Sequence, residues 1–237
     1  MTLDAPKGNV LDRAMIGRLR EALGACVRKT HRVIVFEGAG AHFSFGASVA
    51  EHRREEAKEM LEAFHGLFRQ LASLSVPTAA LVRGQCLGGG LELASYCTWI
   101  LASPDARLGQ PEIRLGVFAP MASILLPWRI GGGAALDLCA RGASLTAEEA
   151  RAAGLVTRVA EDPRAAFDAL YLEELAPKSA SSLRFAERAA RADLHERMAQ
   201  RLPLLEAMYL EELMGTHDAN EGIAAFLERR APELRHE

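Results

Sequence analysis

Two glutamates in this chain stand beside glycine-rich turns, where their carboxyl groups could do chemistry. Glu92 follows the run Gly88-Gly89-Gly90, and Glu112 ends a short loop at 108–112. A reaction that moves a proton at one atom and activates water at another needs such a pair. Apolar residues flank both glutamates, and burial can raise the pKa of one carboxyl so that it acts as an acid while the other stays a base.

The glycine run itself indicates a site for negative charge. The apolar stretch Thr78–Val82 predicts a buried strand, the glycines predict a turn, and a helical pattern with Glu92 in its first turn follows. Backbone N–H groups at such a helix start attract anions. A carboxylate beside a permanent phosphate would repel it, so Glu92 favours an oxyanion that forms only during a reaction.

Alternative interpretations of these residues have less support. A single glutamate is most often exposed or ion-paired, but three consecutive glycines next to Glu92 have no packing reason. The stretch 38–43 begins like a dinucleotide-binding fingerprint, but its sixth residue is Phe43 rather than Gly or Ala. The sequence has no G-x-S-x-G motif, no P-loop and no zinc-binding histidine pattern, so we expect no metal site. His42 is expected to be structural rather than a ligand-side residue.

Composition limits the class of protein. The 237 residues carry a formal net charge of −3, and 49% of them are hydrophobic. These values are typical of a globular protein and favour neither nucleic acid nor a membrane surface as a partner. No apolar run reaches the roughly 18 residues of a membrane helix, and no signal peptide is visible. The four cysteines lack a C-x-x-C spacing, so we expect buried, reduced thiols and a cytoplasmic location.

Hydrophobic periodicity predicts short strands that alternate with helices, followed by helices alone. Strands are expected at 1–6, where the end of a strand leaves the sheet, and at 33–36, Thr78–Val82, Trp99–Ala102 and 155–159. Helices are expected at 10–28, at 60–74, at Ala122–Ile130, after a capping box at 146–149 and from Pro163 onward. A charged segment at 51–59 is expected to be a solvated helix face or a mobile flap. The class is therefore α/β, with a core over residues 1–177 and a helical region over 178–237.

Five segments resemble motifs of the crotonase (enoyl-CoA hydratase/isomerase) superfamily, and they occur in the family's order and spacing. They are Phe43-Ser44-Phe45-Gly46-Ala47, Leu87 to Leu93, Gly109-Gln110-Pro111-Glu112-Ile113, Leu155-Val156 and Asp218 to Phe226. The resemblance covers nearly the whole chain. It implies a spiral of strand-strand-helix units with a helical C-terminal region that forms trimers or hexamers of two trimers.

The resemblance also assigns roles to individual residues. The backbone N–H groups of Ala47 and Gly89 would form an oxyanion hole for a thioester carbonyl. Glu92 would activate water, and Glu112 would deliver or remove the proton at carbon. Family hydratases use both glutamates, whereas isomerases and hydrolases often lack one, so the pair favours hydration of an acyl-CoA thioester. Coenzyme A would then be part of the substrate, and no other cofactor is implied.

Departures from the common pattern suggest a bulky acyl group. Phe45 stands where a small residue is commoner, Ser48 replaces the usual aspartate, and Phe118 and Pro120 follow the second glutamate. With Gly88, these residues are expected to bind substrate. In these segments the chain looks like the branch of the family that hydrates cyclohexa-1,5-diene-1-carbonyl-CoA in aromatic-acid degradation. A straight-chain enoyl-CoA hydratase, an enoyl-CoA isomerase, a thioester hydrolase and a non-catalytic CoA-ester binder are the alternatives.

Overall fold

The computed structural model describes residues 1–26 and 30–237, and within these ranges the strands form two sheets. The strands are β1 (Thr2–Leu3), β2 (Ile34–Gly38), β3 (Thr78–Val82), β4 (Gln85–Leu87), β5 (Trp99–Ala102), β6 (Arg107–Gly109), β7 (Ser144–Thr146) and β8 (Arg158–Val159). The larger sheet has the order β1-β2-β3-β5-β8 and is parallel throughout. The smaller sheet has the order β4-β6-β7, in which β6 and β7 are antiparallel.

Helices connect the strands and make up most of the second half of the chain. They are α1 (Pro6–Asn9), α2 (Arg13–Gly24), α3 (Ala57–Leu74), α4 (Gly89–Tyr96), α5 (Ala122–Ile130), α6 (Gly132–Arg141), α7 (Ala147–Ala152), α8 (Pro163–Leu170), α9 (Ala180–Ala190), α10 (Ala192–Ala207) and α11 (His217–Glu228). Short 3₁₀ turns cover Val49–His52, Glu112–Leu115 and Leu213–Gly215, and π-helical turns cover Tyr171–Leu175 and Met208–Glu212.

Parallel strands with both faces covered are expected to be continuous apolar runs, and β3 is the clearest case. All five of its residues are buried. Its register pairs Ala79 with Val35 of β2 on one side and with Trp99 of β5 on the other. This central position explains why the predicted bounds of β3 and β5 agree with the structure residue for residue.

A small hydrophobic cluster packs α8 onto β3 and β5, and two larger clusters pack further helices onto this framework. The larger of these two combines the sheet with α2, α3, α4 and α5, and it also includes Leu194, Met198 and Leu202 of α10. The smaller of the two brings the start of α3, through Met60 and Leu61, against Val117, Tyr209 and α11. The second cluster is the one that matters for the site, because it joins segments that are far apart in sequence.

Several helix predictions are confirmed. α5 has the predicted bounds, and the predicted stripe from Met60 to Leu74 is buried along α3. Thr146 caps α7 in the predicted capping box, in which the side chain of Glu149 also accepts from the Thr146 N–H. α2 begins at Arg13 and ends at Gly24, inside the predicted range 10–28; positions 27 and 28 of that prediction lie outside the described residues.

Other local predictions were wrong. The segment 108–112, predicted as a loop, contains the end of β6 and the start of a 3₁₀ turn. The glycine run does not interrupt β3 directly, because the short strand β4 lies between them. The strand predicted at 155–159 is reduced to Arg158–Val159. β4 and β6 have three residues each and form by pairing with one another, so no local pattern marks them.

The charged segment 51–59 is largely exposed to solvent, as one of the two expectations had it, and ion pairs hold it in place. Arg13 contacts the carboxylates of Glu51, Glu56 and Glu59. This one guanidinium ties the 3₁₀ turn and the start of α3 to the start of α2. Surface pairs of this kind contribute little stability each, but their position beside the first loop of the site orients that segment.

Two further predictions concern cysteines and membranes. Cys86 and Cys97 are buried free thiols as expected, whereas Cys26 and Cys139 are free but only partly buried. Among the described helices none combines the length and apolar character that crossing a membrane requires. The boundary at residue 177 between core and helical region remains a prediction; beyond it, the described chain is helical up to Glu228.

Candidate active site

The turn between β4 and α4 places a helix start at the centre of the site. Gly88 has φ 51° and ψ −125°, which glycine adopts without strain. Its N–H donates to the carbonyl of Gly109 at 2.9 Å, and its own carbonyl accepts from the Glu92 N–H at 2.9 Å. The next residues, Gly89 and Gly90, form the first turn of α4, so their N–H groups lack helical acceptors.

A second loop, 43–47, is fastened against this turn. The Ser44 N–H donates to the Gln85 carbonyl at 3.0 Å, and the Leu87 N–H donates to the Ser44 carbonyl at 2.9 Å. The Ser44 hydroxyl donates to the Asn9 carbonyl at 2.8 Å and accepts from the Gly46 N–H at 3.0 Å. These bonds are buried, so they hold the loop rigidly beside β4 and α4.

The two loops bring the Ala47 and Gly89 N–H groups together. A Cβ placed on Gly89 would lie 3.1 Å from the Ala47 nitrogen, and one placed on Gly46 would lie 3.3 Å from the Gly89 nitrogen. Within residues 1–26 and 30–237 neither N–H has a hydrogen-bond acceptor. Two adjacent, unpaired donors of fixed geometry can stabilise a developing oxyanion.

Glu92 lies on α4 and is buried, with only 5% of its surface exposed. Its Oε1 accepts from the Ala122 N–H, at the start of α5, at 2.7 Å. Burial raises the pKa of Glu92 well above the usual carboxyl value, and the nearby charge of Glu112 raises it further. The hydrogen bond from Ala122 works in the opposite direction because it favours the ionised form.

Glu112 begins the 3₁₀ turn after Pro111, and its carboxyl group reaches the glycine turn. A Cβ on Gly88 would collide with Glu112 Oε1. The other oxygen, Oε2, is buried and has no hydrogen-bond partner among the described residues. Burial raises the pKa of Glu112 as well. The site therefore holds two carboxyl groups that resist ionising together at neutral pH.

A cavity of about 510 Å³ leads from the surface to Glu112. Its rim includes Phe45 and Phe226, which are 42% and 56% exposed. The glycine turn, the Ala47 loop, Arg114 and Arg230 line the rest. We call this the outer cavity. Its size suits a long, partly polar ligand.

A second cavity of about 20 Å³ lies deeper. Glu92 and Glu112 both line it, together with Ala47, Phe118, Pro120 and residues of α3. We call this the inner cavity. Ala47, His52 and Glu112 border both cavities, so the unpaired N–H of Ala47 belongs to the residue that stands between them. A carbonyl held there would have both carboxyl groups within the same small space.

Comparison with known proteins identifies the family. A sequence profile of the enoyl-CoA hydratase/isomerase family matches residues 1–237, the whole chain. The chain belongs to this family.

Individual relatives of the enoyl-CoA hydratase/isomerase family narrow the class further. The chain is 50% identical to a cyclohexa-1,5-dienecarbonyl-CoA hydratase of Thauera aromatica, over 98% of this chain and 90% of that protein. It is 34% identical to a probable enoyl-CoA hydratase of Rhizobium meliloti, over 100% of this chain and 93% of that one. The chain is therefore an enzyme of the enoyl-CoA hydratase type, a hydro-lyase.

Solved structures of family members confirm the predicted fold. An enoyl-CoA hydratase from Mycobacterium avium subsp. paratuberculosis K-10 superimposes with a TM-score of 0.84 at 27% identity, covering 98% of this chain and 93% of that one. An enoyl-CoA hydratase from Bacillus halodurans gives a TM-score of 0.85 at 22% identity, covering 94% of each chain, which supports the fold alone. The mixed α/β crotonase fold is thus confirmed.

The residues that were expected to bind substrate do not all line the same cavity. Phe45 and Gly88 line the outer cavity, whereas Phe118 and Pro120 line the inner one. Ser48 lines neither cavity. It stands at the start of the 3₁₀ turn without a side-chain capping bond, and its carbonyl contacts His52 Nδ1 at 2.7 Å. A direct substrate contact for the Ser48 side chain therefore has no support in the geometry.

Three polar residues that line the inner cavity, His52, His65 and Tyr209, are not among those predicted from the sequence. The sequence pattern could have indicated His65, because it lies on the buried face of α3 between Leu61 and Phe68, where an apolar residue is expected. No sequence pattern indicates Tyr209, because it lies in a helical stretch without a motif. His42, in contrast, is structural as expected: its Nδ1 faces the Gln85 N–H at 3.2 Å.

Proposed function

We propose that this enzyme adds water to an α,β-unsaturated acyl-CoA thioester through an enolate intermediate. One observation carries the proposal. The buried carboxyl group of Glu92 and the partly buried one of Glu112, whose Oε2 is buried, line the same small cavity, and so does Ala47, which bears one of the two unpaired N–H groups. Acyl transfer would need only the N–H pair, whereas hydration needs the N–H pair and two proton-handling groups.

The two cavities divide the substrate between them. The outer cavity takes the pantetheine arm of coenzyme A, with the thioester carbonyl accepting hydrogen bonds from the Ala47 and Gly89 N–H groups. The acyl group enters the inner cavity, which must widen to admit more than a small group because its volume is about 20 Å³. Phe118 and Pro120 lie on this side, so they contact the acyl group, while Phe45 contacts the arm.

The reaction follows from the placement of the carboxyl groups. Glu92 takes a proton from water as the water oxygen bonds to the carbon conjugated with the thioester. The electron pair of the C=C bond moves toward the thioester oxygen, whose negative charge meets the two N–H groups. Glu112 then delivers a proton to the α-carbon. Nothing is oxidised or reduced, so the addition uses only the substrate and water, and coenzyme A enters as part of the substrate.

The raised pKa values of the two carboxyl groups support acid–base catalysis by the pair. Burial acts on both carboxyl groups, and the charge of Glu112 acts on Glu92 in addition. Two carboxyl groups that cannot both ionise share one proton near neutral pH. One of them is then a carboxylic acid and the other a carboxylate, which is the state that acid–base catalysis of a hydration needs.

We propose a cyclic dienoyl-CoA, cyclohexa-1,5-diene-1-carbonyl-CoA, as the substrate. The name of the Thauera aromatica relative at 50% identity supports this choice. So does the inner cavity, in which Phe118 and Tyr209 meet edge to face at 5.5 Å between ring centroids beside Pro120. Flat, rigid walls of this kind suit a ring better than a flexible chain.

A panel of thioesters tests the proposal. Purified protein is incubated with the cyclic dienoyl-CoA and with a straight-chain enoyl-CoA, and the products are identified by mass and NMR. We expect a product heavier by one water, formed with a kcat/KM at least about tenfold higher for the ring, a difference of about 1.4 kcal/mol in the barrier. Faster hydration of the straight chain would assign the general hydratase. A product of unchanged mass with a moved double bond would assign an isomerase.

We also propose that the chain assembles into homotrimers or hexamers through residues 178–237. Large apolar side chains on α9 and α10 support this, since Phe185 is 67% and Leu204 68% exposed. Five of the ten exposed large apolar side chains in the described part of the chain lie within 178–237, and a concentration of exposed apolar groups is typical of an interface between subunits.

A further inference from the structure

The inner cavity contains polar atoms that have no role in the two-glutamate mechanism. His65 and Tyr209 line it, and both side chains are almost completely buried, at 0% and 1% exposure. His65 Nε2 and the Tyr209 hydroxyl are buried atoms without a hydrogen-bond partner among the described residues. Buried polar groups are normally paired, because leaving them unpaired costs free energy. Their presence in one cavity indicates that something polar binds between them.

Before the acyl group enters and widens it, the inner cavity has a volume that fits a single water molecule. It measures about 20 Å³, and about 10–15 Å³ is enough to hold one water molecule. A buried water also needs two to four polar partners. Glu92, His65 and Tyr209 supply that number around the same space.

The hydrogen-bonding role of His65 is determined by its other ring nitrogen. Nδ1 lies 2.6 Å from Glu206 Oε1, and Arg69 contacts the same carboxylate oxygen at 2.8 Å. Burial lowers the pKa of His65, although Glu206 opposes this, so the ring is neutral at neutral pH. A neutral ring that donates from Nδ1 to a carboxylate has a free lone pair on Nε2. His65 is therefore an acceptor toward the cavity.

Tyr209 has the complementary role. Burial raises the pKa of its hydroxyl, and the charges of Glu112 and Glu92 raise it further, so it stays protonated and can donate. The ring packs against Phe118, and π-helical backbone at 208–212 carries it. π-Helical turns are rare and frequently occur at functional sites.

We propose that His65 and Tyr209 hold the water that the enzyme adds to its substrate. The water donates one proton toward Glu92 and the other to His65 Nε2, and it accepts from the Tyr209 hydroxyl. Its remaining lone pair is free to attack carbon. The proposal rests on the proposed function, and it adds two catalytic residues and one positioning residue, Glu206, which acts through His65.

The step balances without a further reactant. The O–H bond directed at Glu92 breaks and its proton goes to the Glu92 carboxylate. The water oxygen forms the C–O bond. The water proton that is hydrogen-bonded to His65 Nε2 stays on this oxygen as the proton of the new hydroxyl group. Tyr209 keeps its proton throughout, because it only orients the oxygen.

Tyr209→Phe is the decisive variant, since it removes one oxygen and retains the ring. Two rates are measured: hydration of the unsaturated thioester, and exchange of the α-proton of a saturated acyl-CoA in D₂O by NMR. Exchange needs the N–H pair and Glu112 but no attacking water. We expect kcat for hydration to fall about 10- to 100-fold, as for loss of one acid–base or orienting group, while KM and α-proton exchange change less than about twofold. His65→Gln is expected to show the same separation.

Tyr96→Phe is the matched control. Tyr96 is equally buried, but its hydroxyl contacts His195 Nε2 at 3.2 Å, outside both cavities. We expect unchanged hydration in this variant. Unchanged hydration in Tyr209→Phe would overturn the water site and leave the proposed function intact. An equal loss of hydration and exchange would also overturn it, because Tyr209 would then be structural. A wild-type enzyme that hydrates no enoyl thioester but exchanges the α-proton would contradict the proposed function instead.

Discussion

At the scale of residues, the proposed mechanism uses two carboxyl groups that are destabilised in their ionised form. Glu92 is buried against the start of α5. Glu112 lies close to Gly88, and its Oε2 has no hydrogen-bond partner among the described residues. Both features cost folding free energy and have no structural benefit that a glutamine would not also provide. Groups of this kind are retained for function, since strained or desolvated polar residues concentrate at active sites.

Stability should therefore improve when Glu92 loses its charge. The folded-state pKa of Glu92 is raised above its usual value of 4.5, so the folded protein binds more protons than the unfolded chain above that pH. Stability is then highest at low pH and falls as pH rises toward the folded-state pKa. We expect Glu92→Gln to be more stable than wild type at pH about 8, by about 1.4 kcal/mol for each unit of pKa elevation.

Urea unfolding at two pH values measures this effect. The gain should shrink as the pH falls to 4.5 and below, because the wild-type carboxyl group then becomes protonated in the unfolded chain as well as in the folded protein. Glu148→Gln serves as the control, because that side chain is 68% exposed and should change stability little at either pH. A Glu92→Gln variant less stable than wild type at pH about 8 would mean that the buried carboxylate is well compensated.

At the scale of elements, the site depends on the close approach of two turns and a 3₁₀ segment. Gly88 is required twice, by its φ of 51° and by the space that Glu112 occupies. Gly46 is required in a similar way, with φ 99° and a virtual Cβ 2.8 Å from the Leu87 carbonyl oxygen. These glycines determine where the N–H groups and the carboxyl groups can meet.

Gly88→Ala should therefore damage activity more than stability. A methyl group would displace the Glu112 carboxyl and strain the backbone by about 1–2 kcal/mol. We expect kcat to fall at least about 100-fold, because misplacement by one ångström is costly in catalysis. Steady-state kinetics and thermal unfolding measure both effects.

Gly17→Ala provides the comparison. Gly17 lies within α2, and a Cβ there would meet no atom within 4 Å. We expect normal activity and a gain of up to about 1 kcal/mol in stability. Wild-type kcat in Gly88→Ala would show that Glu112 does not need its observed position.

The sequence was informative where local pattern and tertiary structure agree. The apolar run of β3, the stripe of α3 and the capping box of α7 are local signals, and the structure confirms all three. β4 and β6 could not be predicted, because a three-residue strand exists only through its partner. His65 and Tyr209 become neighbours through the packing of α3 against the segment after α10, which no local pattern records.

At the scale of the whole molecule, the two larger hydrophobic clusters have different roles. The larger cluster fixes the sheet and the glycine turn, while the smaller one closes the inner cavity with Tyr209 and α11. α11 packs closely on the Glu112 turn, since a Cβ on Gly222 would lie 2.6 Å from the Leu115 carbonyl carbon. The C-terminal region therefore shapes the site.

Assembly can be tested on the same region. We expect the protein to elute with the mass of three or six chains of 25.7 kDa. A double variant, Phe185→Asp with Leu204→Asp, should shift it to a smaller species, because both exposed apolar groups would lose their contacts. Size-exclusion chromatography with light scattering measures the mass.

Leu136→Asp is the control for that experiment. Leu136 is 69% exposed on α6, outside residues 178–237, and its substitution should leave the mass unchanged. Elution of the wild-type protein as a monomer would contradict the proposed assembly.

In the proposed mechanism Glu92 activates the water and Glu112 delivers the proton to carbon. One pair of variants distinguishes these two roles. Hydration and α-proton exchange are measured for Glu92→Gln and Glu112→Gln with thioester binding as a control. We predict that both variants bind thioester normally and lose hydration by about 10²–10⁴-fold, and that only Glu112→Gln also loses exchange. Near-normal hydration in either variant would contradict the two-glutamate mechanism.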